Sequence, residues 1–202
     1  MYLHPRPVVL ASLLGLSVVT RLLPFLLLRL GVPIDPSGDS FYPWNFSPLL
    51  AVGLFGGAML ADRRLAVAVP LGTYLAGDLG VWLIVGRADW AFYAHQPVVY
   101  VSVALVVVCG FLLRTRRSVG RLAVAGLGSA TVFFLVSNFG VWALGGGVRY
   151  PLTGAGLVEC YLMALPYFRN TVLGMAVFLP LLFSRVGLVA SPRRTAPVLG
   201  RG

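Results

Sequence analysis

Six long apolar stretches, separated by short polar segments, are the feature of this sequence that most restricts its fold. A membrane-crossing helix needs about 20 mostly apolar residues. Counting such stretches predicts transmembrane helices over approximately 8–28, 48–61, 65–85, 97–113, 122–144 and 160–184. The second stretch is short, which is tolerated where neighbouring helices cover its ends. We therefore predict an all-α polytopic membrane protein, with a single six-helix domain over 1–190 and a short disordered tail over 191–202.

The composition supports a membrane protein and argues against a nucleic-acid partner. Of the 202 residues, 58% are hydrophobic and 11% are charged, whereas a soluble domain has about 45–50% apolar and about 25% charged residues. The net charge of +10 comes from sixteen arginines and six acidic residues. These arginines lie in short clusters between apolar stretches and form no basic patch with interleaved aromatics. We therefore expect the lipid bilayer, and no nucleic acid, as a partner.

The distribution of arginine predicts the orientation, because cytoplasmic loops carry an excess of basic residues. With the N terminus inside, eleven of the sixteen arginines are cytoplasmic: Arg6, Arg63, Arg64, Arg114, Arg116, Arg117, Arg121, Arg185, Arg193, Arg194 and Arg201. Both termini are therefore predicted to be cytoplasmic. The external loops carry Trp44, Trp90, Tyr93 and Tyr150, aromatic residues suited to anchoring at the membrane interface.

The residues that membrane enzymes and metal sites need are missing. The two histidines, His4 and His95, lie in a terminal segment and a loop, so no HExxH motif or intramembrane Ser–His pair is present. Asp78 is the one acidic residue well inside a predicted span, which disfavours catalysis by paired carboxylates. The two cysteines lack metal-ligand spacing, and no phosphate-binding loop occurs. We expect no enzymatic activity, no metal and no cofactor.

Several polar residues interrupt the predicted helices at similar depth. Arg21 and Asp78 each lie roughly 20 Å from the predicted cytoplasmic surface, and Asn138 lies roughly 24 Å from it. Arg169 and Asn170 lie about 14 Å below the predicted outer surface. Such groups normally face the interior of a helix bundle, pair with each other or line a watery pathway. The sequence therefore predicts a polar layer in the outer half of the bundle.

Arg21 and Asp78 are the simplest ion pair to expect within this layer, since each would otherwise be a lone charge in lipid. The pair could serve only to hold helix 1 against helix 3, or one partner could also face a ligand. Arg169 has no second intramembrane carboxylate to pair with. It could bind an anionic or carbonyl-bearing ligand, or its side chain could extend to the outer headgroups.

The segment Ser137 to Trp142 places an amide and an indole one turn apart in helix 5. Asn138 could offer hydrogen bonds to a ligand with Trp142 as a stacking surface, or it could bond a neighbouring helix. Small residues supply a second pattern, with Gly53 and Gly57 in helix 2 and Ala11 and Gly15 in helix 1. Such steps allow helices to approach closely, either within the monomer or against a partner protein.

Several of these residues fall in motifs that resemble an uncharacterised family of small bacterial six-helix membrane proteins. The motifs are Asn45-Phe46-Ser47-Pro48, Phe55-Gly56-Gly57, Asp78, Ser137 to Trp142, Tyr150-Pro151 with Thr153 and Gly156-Leu157, and Cys160-Tyr161 with Ala164, Pro166, Phe168, Arg169, Asn170 and Thr171. They cover about 130 residues, from helix 2 to helix 6. That family is in turn distantly similar to the substrate-binding S components of energy-coupling factor transporters.

The resemblance implies a multi-pass protein of the bacterial inner membrane that captures a vitamin-like micronutrient from outside. A separate transmembrane scaffold and ATPase subunits would drive release, and Ala11 with Gly15 would contact that scaffold, although the familiar form has alanine at both positions. The implied substrate-binding residues are Asn45, Phe46, Asp78, Asn138, Trp142, Tyr150, Tyr161, Arg169 and Asn170. The alternative is a structural or assembly protein that binds a partner through small-residue helix faces and has no small-molecule ligand.

Overall fold

The computed structural model of the chain describes residues 2–32, 34 and 42–191. Residues 33 and 35–41, in the loop between predicted helices 1 and 2, and the predicted tail beyond Ser191 lie outside the described residues. The described elements are β1 (Tyr2–Pro5), α1 (Pro7–Arg29), α2 (Leu49–Met59), α3 (Arg63–Val85), α4 (Ala88–Ala91), α5 (Gln96–Phe111), α6 (Val119–Leu144), α7 (Gly154–Met163), α8 (Leu165–Phe183) and β2 (Leu188–Ser191).

The prediction of a helical fold is confirmed, and the length and composition of the helices suit a membrane protein. Five helical segments of the described chain are long and apolar enough to cross a membrane: Pro7–Arg29, Arg63–Val85, Ala88–Phe111, Val119–Leu144 and Gly154–Phe183. The eleven residues of α2 reach only about 16 Å at about 1.5 Å per residue, well short of a hydrocarbon core of about 30 Å. Six complete spans, and the side on which the termini lie, stay predictions.

The short helix α2 lies at the centre of the bundle. Ten of its eleven residues are buried, and it packs against α3, α5 and α8. Its last carbonyls lack partners within the helix, as at every helix end. Arg114 supplies hydrogen-bond donors for them: its Nε donates to the Gly57 carbonyl at 2.8 Å, and a terminal nitrogen donates to the Leu60 carbonyl at 2.8 Å. A helix too short to span is thus enclosed by protein and capped by an arginine.

Glycine permits backbone contact between α2 and α5. A Cβ atom placed on Gly57 would lie 2.1 Å from the Val107 carbonyl oxygen, and one placed on Gly110 would lie 2.2 Å from the Leu54 carbonyl oxygen. Neither distance leaves room for a methyl group. Gly57, at the end of the GxxxG step, therefore packs within the monomer.

The predicted sixth helix, 160–184, is two helices in the structure. α7 begins earlier, where the Thr153 hydroxyl accepts a hydrogen bond from the Gly156 N–H at 3.2 Å. The break falls at Ala164, directly before the first turn of α8, which contains Pro166. Proline has no N–H to donate, and its ring clashes with the carbonyl four residues earlier. The sequence reading placed the start too late because the preceding segment is rich in glycine and polar residues.

A two-stranded ribbon joins the two ends of the described chain and was not predicted. β1 and β2 are antiparallel, with Leu3 opposite Ala190 and Pro5 opposite Leu188. The Arg6 N–H extends the contact by donating to the Gly187 carbonyl at 2.8 Å. The two ends therefore lie at the same end of the bundle, which we call the ribbon end. The opposite end, where α1 ends and α2 begins, we call the loop end.

Candidate functional site

A fully buried carboxylate organises the contact between α1, α3 and α5. Asp78 is 0% exposed and accepts hydrogen bonds from the Arg21 guanidinium, the Gln96 amide and the Tyr100 hydroxyl, the last at 2.9 Å. Arg21 also forms an ion pair with it. Buried charges are tolerated when they are paired and hydrogen-bonded. The two residues of the expected ion pair are therefore in contact, within a larger network.

Arg21 passes across α3 to reach this carboxylate. A Cβ atom on Gly77 would lie 2.5 Å from the Arg21 Cδ atom, so the glycine leaves space for the arginine side chain. The guanidinium lies 4.3 Å from the centre of the Tyr74 ring and donates to the Tyr74 hydroxyl at 3.2 Å. Its Nε atom is buried and has no hydrogen-bond partner among the described residues.

Three cavities lie at the loop end and share parts of their walls. Cavity A, of about 750 Å³, is bounded by residues from α6, α7, α8 and the turn after α6. Cavity B, of about 240 Å³, lies beside α1 and shares Tyr42 and Trp44 with cavity A. Cavity C, of about 160 Å³, shares Asn138 with cavity A and Asn45 with cavity B.

The segment 42–47 separates cavities A and B and is held in place by specific contacts. The Tyr42 hydroxyl donates to the Thr20 carbonyl, and partial burial raises the pKa of the Tyr42 phenol, which keeps it neutral. The Asn170 amide donates to the Trp44 carbonyl at 2.9 Å. Asn45 adopts a left-handed backbone with φ of 66°, a conformation that asparagine tolerates better than most residues.

The structure brings seven of the residues singled out from the sequence to these cavities and leaves three outside them. Asn138, Tyr150, Arg169 and Asn170 line cavity A, Arg21, Asn45 and Phe46 line cavity B, and Asn45 and Asn138 also line cavity C. Asp78, Trp142 and Tyr161 line none of the three. Asp78 contacts Arg21, which lines cavity B.

Trp142 and Tyr161 hold α6 against α7. The Trp142 indole donates to the Pro151 carbonyl at 3.0 Å, and the Tyr161 hydroxyl donates to the Leu135 carbonyl at 2.8 Å. Trp142 was expected to form a pocket wall beside Asn138. Its indole N–H instead fastens the turn that follows α6, a contact across nine residues of sequence that helical spacing alone could not reveal.

Asn138 lines cavities A and C, and its amide donor is already bonded. The amide nitrogen donates to the Phe134 carbonyl one turn earlier in α6, at 2.8 Å. The side-chain oxygen accepts no hydrogen bond from a residue that the structure describes. Asn138 is therefore available to a ligand as an acceptor, while its donor is committed to its own helix.

The sequence of this chain matches, over residues 1–199, the profile of a family of unknown function, DUF6580. The chain belongs to that family. Searches among curated proteins and among solved structures find no match.

Several residues of this DUF6580 chain that shape the site were not singled out from the sequence. Gln96 and Tyr100, on α5, donate hydrogen bonds to Asp78. Their polar side chains at the start of a predicted span were the only sequence feature that could have pointed to them. Trp44, Trp90 and Tyr93 were expected at the membrane interface, but they line the cavities. Arg149 lines cavity A beside Tyr150. It was not predicted as a site residue because it lies in a predicted external loop, where an arginine needs no buried partner.

Proposed function

We propose that this protein captures a small, vitamin-like molecule in cavities A, B and C, as a substrate-binding subunit or a small transporter. The observation that carries the proposal is the convergence of polar side chains from separate elements on adjoining cavities of a helical bundle. Asn138 comes from α6, Arg169 and Asn170 come from α8, and Arg21 comes from α1. Polar groups in a membrane protein are expensive and usually functional.

The dimensions and walls of the cavities suit a small ligand. Ligand pockets typically have volumes of about 300–1,000 Å³, with mostly apolar or aromatic walls and a few polar groups that fix orientation. Cavity A, at about 750 Å³, falls within that range. The wall of cavity B is rich in aromatic rings, from Phe25, Tyr42, Trp44, Phe46, Tyr74, Trp90, Tyr93 and Phe133. Such rings would stack on a planar ligand.

The proposed subunit resembles the S components of energy-coupling factor transporters and would need a partner for energy. The face of α1 that carries Ala11 and Gly15 would meet the transmembrane scaffold, which ATPase subunits would drive. Both residues are exposed, and a Cβ atom on Gly15 would meet nothing within 4 Å. Small exposed residues allow another helix to approach closely. We assign no catalytic step to this chain.

The same exposed face supports a second candidate, a structural or assembly protein without a small-molecule ligand. In that case the polar groups would serve only to hold the bundle together. The internal bonds of Asn138 to Phe134, and of Asn170 to Trp44, fit such a role. The two functions differ in what they require of the cavities, because only the first requires an occupant.

The deciding experiment measures small molecules that remain bound to the purified protein. Mass spectrometry of extracts from the detergent-solubilised wild type should detect a compound, and adding that compound should raise the melting temperature. A ligand at 100 times its Kd adds about 2.7 kcal/mol of stability. The Asn138→Ala variant should lose this rise and still fold. Thr131→Val is a matched control, because Thr131 also bonds a carbonyl one turn earlier in α6 but lines none of the cavities.

The structural function is supported if no compound co-purifies and Asn138→Ala destabilises the ligand-free protein about as much as the control Thr131→Val does. If a compound binds equally to wild type and Asn138→Ala, the site is elsewhere and the proposal is wrong.

A further inference from the structure

The charge of cavity A is positive and is not balanced within the cavities. Arg149 and Arg169 line cavity A, and Arg21 lines cavity B. No aspartate or glutamate among the described residues lines cavity A, B or C. Asp78 is fully buried behind Arg21 and pairs with it. The arginines of cavity A therefore lack a carboxylate in their own cavity.

Arg169 is exposed and lines cavity A. It lies in the second turn of α8, within a segment long and apolar enough to span a membrane. Among the residues that the structure describes, ion pairs join only Arg21 to Asp78 and Arg87 to Asp89. Arginines in membrane spans are normally paired with a carboxylate or with backbone carbonyls. Arg169 makes neither contact with a described residue.

Arg149 approaches the same cavity from the turn between α6 and α7. Its guanidinium lies 5.7 Å from the centre of the Tyr150 ring, and none of the described residues accepts a hydrogen bond from its N–H groups. A guanidinium offers a planar fork of donors that matches the oxygens of a carboxylate or phosphate. Arg149 and Arg169 both line cavity A, so the cavity carries two such forks.

Aromatic rings adjoin the two arginines. Tyr42 and Trp44 form the wall between cavities A and B, and their rings lie edge to face with centres 5.1 Å apart. An anion bound in cavity A would therefore have a stacking surface beside it for an attached ring.

We propose that the ligand is an organic oxyanion, whose carboxylate or phosphate is bound by Arg149 and Arg169 and whose ring lies against Tyr42 and Trp44. This inference rests on the proposed function of cavities A, B and C. The oxyanion can come from two sources, a small organic acid or phosphate ester in solution or the phosphate of an anionic lipid headgroup. Both would use the same two arginines.

The experiment compares ligands that differ in charge but not in shape. Protein in phosphatidylcholine nanodiscs is titrated with indole-3-acetate, with its neutral amide, indole-3-acetamide, and with phenyl phosphate, and melting temperature is measured. We expect one of the anions to stabilise the wild type with a Kd at least about tenfold below that of the amide. The double variant Arg149→Gln with Arg169→Gln should lose that preference.

Two variants separate binding from folding. Arg87→Gln removes an exposed arginine that lines neither cavity A nor cavity B, so it should retain the preference for the anion. Arg169→Lys keeps the charge but loses the fork, so it should bind the anion more weakly than the wild type and more strongly than Arg169→Gln. If all Arg169 variants fail to fold, Arg149→Gln alone must weaken binding of the anion, and an unchanged Kd would overturn the inference.

A parallel arm uses nanodiscs that contain phosphatidylglycerol. Stabilisation by this lipid that disappears in the double variant, with no effect of the soluble anions, would support the oxyanion site and assign it to a lipid headgroup. That result would contradict capture of a soluble micronutrient. Binding of the amide as tightly as the acid, no response to any anion, or recovery of a neutral or cationic compound from the wild type would overturn the oxyanion inference. Recovery of such a compound would leave the capture function standing.

Discussion

The two ends of the bundle are built from different kinds of contact. Towards the ribbon end, α2 and α5 meet backbone to backbone at Gly57 and Gly110, where no volume is left for even a methyl group. At the loop end, the elements are held apart by arginine, asparagine and aromatic side chains, which leave cavities A, B and C between them.

The difference shows how one helical bundle can be closely packed in one region and hollow in another. Glycine brings helices close enough for continuous van der Waals contact, which is a main source of helix association in lipid. Long polar and aromatic side chains form a few directed hydrogen bonds with their neighbours and need not fill the space between helices. The Arg21–Asp78 pair lies between the two regions, since Asp78 belongs to the buried core and Arg21 lines cavity B.

The largest effect on this arrangement should come from Asp78→Asn. The change removes the carboxylate that Arg21, Gln96 and Tyr100 share. Breaking one side of a buried ion pair costs on the order of 3–5 kcal/mol, and here Arg21 would lose its carboxylate while keeping its contacts with Tyr74. We expect a loss of stability of that order in a reversible unfolding assay.

The Asp78 prediction is sharpened by a double variant. Asp78→Asn combined with Arg21→Gln should be more stable than Asp78→Asn alone, since it also removes the uncompensated charge. Asp89→Asn is the matched control, because its ion pair with Arg87 is largely exposed, and its stability should not change measurably. Strictly additive losses at Arg21 and Asp78 would show that the two residues are not coupled.

The next largest effect should come from Gly57→Ala. The added methyl group would overlap the Val107 carbonyl, so α2 and α5 must move apart. Overpacking typically costs about 1–3 kcal/mol, and we expect roughly 3 kcal/mol here because the obstacle is backbone. Gly128→Ala, where the methyl group meets nothing within 4 Å, should be neutral or slightly stabilising.

The Gly57→Ala variant also separates the two ends of the bundle. Its affinity for a ligand in cavities A, B and C should stay close to that of the wild type, since Gly57 lines none of them. A strong loss of affinity in folded Gly57→Ala would mean that the packed end and the hollow end move together.

A smaller effect is expected from Asn170→Ala, which removes the hydrogen bond to the Trp44 carbonyl. One such bond contributes about 1 kcal/mol net. The consequence should be local, with faster hydrogen–deuterium exchange in residues 42–47 and little change in the amides of α2. Unchanged exchange in 42–47 would show that other contacts are sufficient to hold this segment between cavities A and B.

The smallest effect should come from Trp142→Phe, which keeps an aromatic ring but loses the N–H bond to the Pro151 carbonyl. We expect a loss of stability of roughly 1 kcal/mol or less and no change in ligand affinity. A loss of ligand affinity with normal stability would show that Trp142 contributes to the binding site, as the sequence predicted.

The parts of the fold that were predicted are those that periodicity and length control. The bounds of α1 and α3 agree with the predicted helices to within two residues, because long apolar stretches leave few alternatives in lipid. The ribbon of β1 and β2 was missed because its strands lie more than 180 residues apart in the chain. The break before Pro166 was missed because hydrophobic counting does not detect a change of helix axis.

The candidate site was foreseen in its polar residues but not in its walls. Arg169 and Asn170 were notable because a polar group inside a span is costly. Tyr93 and Trp90 were not predicted as site residues, because an aromatic residue in a loop is equally suited to the membrane interface. Only their placement against α1 and α3 shows that they line cavities.

The sequence by itself determined that this chain is a helical membrane protein and that Arg21, Asp78, Asn138 and Arg169 required partners. Those conclusions follow from the cost of placing polar groups in hydrocarbon, which depends on residue type and position along a span. The tertiary structure decided which partners they have, and that Arg169 has none among the described residues. Partner choice depends on which helix faces meet, and here the partners of Asp78 come from α1 and α5, which no single stretch of sequence contains.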